Sequence, residues 1–130
     1  MGTMLYDRLG GHAGILKLVK SFYADVRQNT TLGPIFNAQI KDWDEHLAKI
    51  TEFWALQAGG ESKYRGGFAG AHMPLGLRPE HFQNWLALWE FNNARHLPAA
   101  EAAEMNELAH RLGTRLSKVT QGKHFLTLRG

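Results

Sequence analysis

The apolar residues of the chain recur with the period of an α-helix in four separate stretches. These stretches cover about residues 12–28, 42–58, 79–96 and 99–119, and in each the apolar side chains are spaced three or four residues apart. No stretch alternates apolar and polar residues as a half-buried strand does. The pattern therefore predicts an all-α fold with four main helices in two pairs, although periodicity alone equally allows an ordinary four-helix bundle.

Polar residues, glycine and proline mark the expected helix ends. Residues 29–31 (Asn-Thr-Thr) offer side chains that compete for backbone hydrogen bonds and should end the first main helix. Residues 32–36 then predict a tight corner. Asp42 is the expected N-cap of the next helix, because Glu45 follows three residues later in the pattern of a capping box.

The ends and the middle of the chain depart from the helical pattern. Residues 3–11 suffice for one or two turns of helix before a pair of glycines. Residues 59–70 are rich in glycine, and a loop of this length is typically functional or disordered; Tyr64 and Phe68 favour order. Residues 119–130 are predicted to form a C-terminal tail, with a glycine ending the last helix.

Composition limits the class of protein. The 130 residues suit a single domain spanning 1–130, and the absence of cysteine excludes disulfides, iron–sulfur clusters and thiolate ligands of a metal. The 15 basic and 12 acidic residues are scattered, so nucleic acid is not an expected partner. No segment approaches the roughly 20 apolar residues of a membrane span, and a cytoplasmic protein without a membrane partner is expected.

The predicted helix after Asp42 has a face that combines one imidazole with large apolar side chains. A lone histidine on such a face usually belongs to the core. The residues at positions i, i+4, i+7 and i+8 are His46, Ile50, Phe53 and Trp54.

A second histidine, His72, follows the glycine-rich stretch and precedes Met73 and Pro74. Because Pro74 disfavours helical angles at Met73 and lacks an N–H, any helix carrying His72 should stop there. Pro79 then suits the first turn of the next helix. Two histidines and several large aromatic residues at these spacings suit a flat ligand. The face of that next helix carries His81, Trp85, Leu88 and Trp89.

Six fragments match one known family in order and spacing. They are FYADVR from Phe22, LGPIF from Leu32, DW..H...I..FW from Asp42, Y.G from Tyr64, Ala71–His72, and HF..WL.LW from His81. Together, over roughly residues 15–92, they resemble the truncated haemoglobins, specifically the third group. LYDRLGG at residues 5–11 is more similar to the first two groups. The resemblance implies a two-over-two helical sandwich that encloses a haem.

The resemblance also implies how the haem is held. The cofactor would be haem b bound non-covalently, since the chain has no C-x-x-C-H attachment site. His72 matches the iron-ligating histidine of the family and stands 13 residues before Trp85, as the family pattern requires. His81 is the alternative ligand, and its simpler interpretation is a surface histidine in the first turn of a helix.

Three residues are implied on the open face of the haem: Tyr23, His46 and Trp85. Tyrosine O–H and indole N–H groups donate hydrogen bonds, which stabilise a ligand that carries partial negative charge. Without the resemblance, Tyr23 and Trp85 would be interpreted as core residues. In the family, the position of His46 gates the pocket, donates to the ligand or binds the iron, and the sequence leaves these roles open.

Other residues would form the walls and the mouth of the pocket. The apolar and aromatic walls are expected from Phe36, Ile50, Phe53 and Trp54. Donors and cations for the haem propionates are expected from Lys49, Tyr64, Arg65 and Arg78, each of which could equally be a solvated side chain.

The implied function is binding of small diatomic or anionic ligands: oxygen, nitric oxide, carbon monoxide, cyanide or sulfide. A pocket lined with donors favours oxidative or detoxifying chemistry, such as nitric oxide dioxygenation or peroxidase-like turnover with a reductase partner, over oxygen transport. The alternatives are a non-catalytic haem-based sensor or carrier, and a cofactor-free helical interaction module.

Overall fold

The computed structural model of the protein describes residues 3–64 and 79–129, with side chains described as far as residue 114. These residues form helices and no strand, as predicted. The helices are α1 (Leu5–Arg8), α2 (Gly11–Gln28), α3 (Gly33–Gln39), α4 (Trp43–Gln57), α5 (Pro79–His96) and α6 (Ala99–Arg129).

Helix α2 is the central element and buries the face that its apolar spacing predicted. The turn before it needs glycine, because Gly10 and Gly11 adopt φ values of 93° and 66°, in the left-handed region. The buried residues of α2 are Ile15, Leu18, Val19, Phe22, Tyr23 and Val26.

Side-chain caps set two of the helix boundaries. The Asp42 carboxylate accepts a hydrogen bond of 3.1 Å from the Glu45 N–H, so Asp42 is the predicted N-cap of α4. The Asn29 side chain ends α2 by accepting from the N–H groups of Thr31 and Leu32, each at 2.9 Å. These hydrogen bonds explain why polar residues in the sequence predicted the end of α2 and the start of α4.

The predicted corner over residues 32–36 is wrong, because this segment belongs to α3. Pro34 lies in the first turn of that helix. N–H groups of the first turn have no hydrogen-bond partner within the helix, so a proline there costs no hydrogen bond. Gly33 permits the tight approach to α2, since a Cβ there would lie 2.6 Å from the Arg27 carbonyl oxygen. Phe36 is thereby buried at 5% exposure.

The last helix is longer than predicted. The backbone of α6 continues as helix to Arg129, so the prediction that Gly122 ends it and leaves a tail over residues 119–130 is wrong. A glycine inside a helix costs only about 1 kcal/mol relative to alanine, which a long helix tolerates.

The helices pack as two pairs. Helix α2 packs on α4, α5 packs on α6, and α2 also contacts α5, which joins the pairs through one core. This is the predicted two-over-two sandwich. The short α1 contacts α2 and α6, where the Arg8 guanidinium binds both carboxylate oxygens of Glu104 at 2.5 and 2.9 Å. None of the described helices is long and apolar enough to cross a lipid bilayer.

Candidate functional site

Three nearly parallel indole rings join α4 to α5. Trp54 stacks on Trp89 with ring centroids 4.4 Å apart at 17°, and Trp85 lies 5.7 Å from Trp89 at 13°. Trp54 and Trp89 are buried, and Trp89 is fixed further because its indole N–H donates to the Met105 carbonyl oxygen at 3.2 Å. Trp85 is half-buried at the edge of this stack. The stack thus forms an indole wall between α4 and α5.

Tyr23 of α2 and His46 of α4 meet in a cluster next to this wall. Phe22 joins the two, because its ring lies 4.9 Å from that of Tyr23 and 5.3 Å from that of Trp85. Their rings are edge-on, with centroids 5.1 Å apart and an interplanar angle of 87°. Tyr23 also lies 5.9 Å from the Phe36 ring, and Phe36 therefore belongs to the same cluster. The fold brings together two polar aromatic side chains that are 23 positions apart in the sequence.

Burial makes the phenol of Tyr23 harder to ionise. The side chain is 5% exposed, and desolvation raises the pKa of its phenol because the charged phenolate is disfavoured in a poorly solvated environment. A phenol with the ordinary pKa of about 10 is already protonated at neutral pH, and burial extends the protonated range to more alkaline pH, so the O–H donor is present.

Trp43 is a residue of this cluster that the sequence analysis did not assign. Its ring lies 5.7 Å from Tyr23 and 5.5 Å from His46, and the Arg27 guanidinium carbon lies 4.5 Å above it. The signal was present, because Trp43 precedes His46 by three residues and side chains at this spacing are neighbours on a helix. Trp43 holds the imidazole from a second side.

A second aromatic contact lies at the C-terminal half of α4. Phe53 is buried and its ring lies 5.1 Å from that of Tyr64 and 5.3 Å from that of Trp54. Ile50 and Tyr64 are half-buried. Phe53 thus connects the indole wall to Tyr64, one of the residues predicted at the haem propionates.

The structure places Lys49 in a surface ion pair. Its ammonium nitrogen lies 3.1 Å from Glu45 Oε1 one turn earlier on α4, and its side chain is 71% exposed. A role at a propionate stays a prediction for this residue.

Three predicted residues, Arg65, His72 and Arg78, lie outside the described residues. The choice between His72 and His81 as the iron ligand therefore stays a prediction. His81 is half-buried in the first turn of α5.

The described side chains fit a flat apolar cofactor with one polar face. The aromatic side chains suit an apolar porphyrin, while Tyr23 and His46 supply hydrogen-bonding groups for its polar face. The half-buried side chains at the edge of this cluster are His46, Ile50, Tyr64 and Trp85.

Residues 4–120 match the model of a family described as bacterial-like globins. The chain belongs to the bacterial-like globin family. A relative of this globin is the group 3 truncated haemoglobin ctb of Campylobacter jejuni, 44% identical over 81 residues, which cover 58% of this chain and 64% of the relative. The match thus spans less than two thirds of that relative's length.

Solved structures show the same fold. The crystal structure of the group III truncated haemoglobin from Campylobacter jejuni has a TM-score of 0.79 and 33% identity, covering 85% of this globin and 91% of that chain. The 2/2 haemoglobin from Synechococcus sp., solved in the cyanomet state with covalently attached haem, has a TM-score of 0.76 at 21% identity, covering 83% and 91%. The prediction of a truncated haemoglobin most similar to the third group is confirmed.

Proposed function

We propose that this globin binds haem b non-covalently and uses it for oxidative or detoxifying chemistry on small ligands rather than for oxygen transport. The observation that carries the proposal is the edge-on contact of Tyr23 and His46 beside the indole wall. The candidate ligands are oxygen, nitric oxide, carbon monoxide, cyanide and sulfide. Non-covalent binding is supported by the absence of cysteine.

The haem, when bound, supplies an iron that coordinates small ligands and exchanges electrons. In this proposal His72 would hold the iron and the polar cluster would bind the small ligand. The walls would be Phe36, Ile50, Phe53 and Trp54, with Trp85 at the edge. The groups proposed for the propionates are Lys49, Tyr64, Arg65 and Arg78.

Tyr23 is the proposed principal donor to a ligand. Because its phenol is protonated at neutral pH, the O–H can donate to a ligand atom that carries partial negative charge. A hydrogen bond to a charged acceptor contributes about 1.5–3 kcal/mol. The low dielectric constant of a protein interior strengthens such a bond. The indole N–H of Trp85 is the second proposed donor. Ligands held this strongly leave slowly, which favours reaction over carriage.

The imidazole of His46 is proposed to act with its ring orientation fixed by its neighbours. The rings of Tyr23 and Trp43 lie edge-on to the imidazole at 5.1 and 5.5 Å, which supports a fixed ring more than a swinging gate. Two roles follow, a donor to the ligand or a sixth ligand of the iron. The optical spectrum of the ferrous protein distinguishes them, since a second axial nitrogen ligand gives a low-spin spectrum that His46→Leu abolishes.

Turnover requires an electron donor, which we propose to be a reductase, in a cytoplasmic setting without nucleic-acid or membrane partners. The scattered basic residues support the absence of a nucleic-acid partner, since nucleic-acid-binding proteins concentrate them on one face. The decisive experiment measures nitric oxide consumption in the presence of oxygen, and separately peroxide consumption, by the purified protein with an excess of a chemical reductant and with the reductant alone as the blank. Consumption over many turnovers supports the enzyme. Ligand binding with no turnover supports the alternative, a sensor or carrier, and the absence of a Soret band contradicts both.

A further inference from the structure

The side chain and backbone of Glu52 hold the segment that follows α4. Glu52 Oε1 accepts a hydrogen bond of 2.8 Å from the Lys63 N–H, and the Glu52 carbonyl oxygen accepts one of 2.5 Å from the Ser62 hydroxyl. The same hydroxyl oxygen accepts from the Tyr64 N–H at 3.0 Å. Residues 62–64 belong to no helix, so these three bonds determine the path of their backbone.

His12 of α2 holds the other oxygen of the same carboxylate. His12 Nε2 lies 3.0 Å from Glu52 Oε2, and His12 Nδ1 is hydrogen-bonded to the Tyr6 hydroxyl group. A neutral imidazole protonated at Nε2 donates to Glu52 and accepts from Tyr6, and a charged imidazole donates to both. Both ring nitrogens of His12 are therefore engaged.

Tyr6 is itself fixed against the end of α4. Its N–H donates to the Ala58 carbonyl oxygen at 3.0 Å. Its ring lies against Gly60 so closely that a Cβ there would be 2.3 Å from the ring carbons. A hydrogen-bonded chain thus runs from α1 through α2 to α4 and then to residues 62–64.

The electrostatics favour a charged Glu52. The Lys63 N–H, followed by the hydrogen bond and charge of His12, lowers the pKa of the Glu52 carboxyl group below its ordinary value. Hydrogen bonds to a carboxylate are stronger than those between neutral groups. A glutamate of ordinary pKa is already ionised at neutral pH, and the lowered pKa extends its hold on the backbone of residues 62–64 to more acidic pH.

We propose that Glu52, oriented by His12 and Tyr6, is a positioning residue for the cofactor. It fixes the backbone of Tyr64 so that the Tyr64 ring stays 5.1 Å from the Phe53 ring. This pair of rings is therefore ordered before haem binds. Ordering in advance removes part of the entropy cost of binding. This inference rests on the proposed haem binding, because Tyr64 is one of the residues proposed to contact the group.

The test compares Glu52→Ala, Glu52→Gln and Ser62→Ala with Glu90→Gln. Glu90 is the matched control because it also pairs with a histidine across two helices, with Glu90 Oε2 2.8 Å from His110 Nε2. The first measurement is haem loss from the ferric holoprotein to an excess of a haem-free acceptor globin. Glu52→Ala should lose haem roughly tenfold faster than wild type, since about 1.4 kcal/mol corresponds to tenfold. Glu52→Gln should restore much of the difference, because its amide oxygen can still accept from Lys63.

The second measurement is hydrogen exchange at the Lys63 amide of the haem-free proteins, together with circular dichroism in the Soret band of the holoproteins. Glu52→Ala should exchange this amide faster and change the Soret ellipticity, whereas Glu90→Gln should match wild type in both. Ser62→Ala leaves every helix intact and should also lose haem faster, which keeps the test decisive if Glu52→Ala does not fold.

The outcomes separate this inference from the proposed function. A wild-type protein that takes up no haem contradicts both. A wild type that takes up haem, with Glu52→Ala and Ser62→Ala losing it at the wild-type rate, overturns the positioning role alone. Equal acceleration by Glu90→Gln also overturns it, because the effect would then reflect general destabilisation.

Discussion

Tyr23 and His46 meet edge-on with their ring centroids 5.1 Å apart, which places a phenol from α2 and an imidazole from α4 in one cluster. Each ring restricts the other, and Trp43 restricts both. The Tyr23 phenol is protonated at neutral pH and therefore carries an O–H donor. Substitutions at this pair can therefore test whether the cluster binds a ligand or only packs in the core.

Substitution of the proposed donors should speed the release of oxygen. Tyr23→Phe or Trp85→Phe removes a hydrogen bond to a partly charged acceptor, so we expect oxygen dissociation to rise by roughly one to two orders of magnitude. Carbon monoxide is a poorer acceptor and should change less. Stopped-flow measurement of both gases gives the result, and the double variant shows whether the donors act as one network. Fast release from wild type, unchanged by either substitution, would leave these residues as packing.

The iron ligand can be assigned by matched substitutions. His72→Gly should abolish stable haem retention, and added imidazole should restore it, because the resemblance places this histidine on the iron. His81→Gly should retain haem with an unchanged spectrum. Absorption spectra of both variants with and without imidazole decide the matter, and loss of the ligand in His81→Gly alone would reverse the assignment.

Removal of haem should destabilise the protein. A cofactor that binds only the native state stabilises it by RT ln(1 + [L]/Kd), which reaches about 4 kcal/mol when the free ligand is 1,000 times the Kd. The apo form should therefore melt at a lower temperature than the holo form. Differential scanning calorimetry of the two forms provides the measurement, and equal melting temperatures would contradict a haem site within the core.

Tyr23 should make the haem-free protein sensitive to alkaline pH. Burial raises the pKa of its phenol in the folded state, so above the unfolded pKa of about 10 the unfolded chain loses a proton that the folded chain keeps. Stability contributed by this group is complete below that pH and falls by up to about 1.4 kcal/mol per pH unit as pH rises further.

Urea unfolding of the apo protein between pH 8 and 12 compares wild type with Tyr23→Phe, which lacks this titration. The difference in the free energy of unfolding between the two proteins should be constant at the lower pH values and shift against wild type above about pH 10. Parallel curves throughout would show that Tyr23 titrates equally in both states.

Several features of this globin were determined locally and were therefore predictable. The apolar spacing of α2 predicted its buried face, because side chains three and four residues apart lie on one side of a helix. The side chain of Asp42 predicted the start of α4, because its carboxylate accepts from an N–H only three residues later in the chain. Local signals failed where two structures were compatible with one sequence. The proline and glycine near the start of α3 suit a corner or a first helical turn, and packing against α2 selected the helix.

The sequence by itself determined the helical class, the main helix faces and, through the order of its motifs, the family. Only the tertiary structure decided which faces meet. The contact of Tyr23 with His46, the assignment of Trp43 to their cluster and the link from Tyr6 through His12 to Glu52 all join different helices. Periodicity specifies the direction of a side chain about its own helix axis, but contacts between helices depend on how the axes cross, which the packing of the whole core determines.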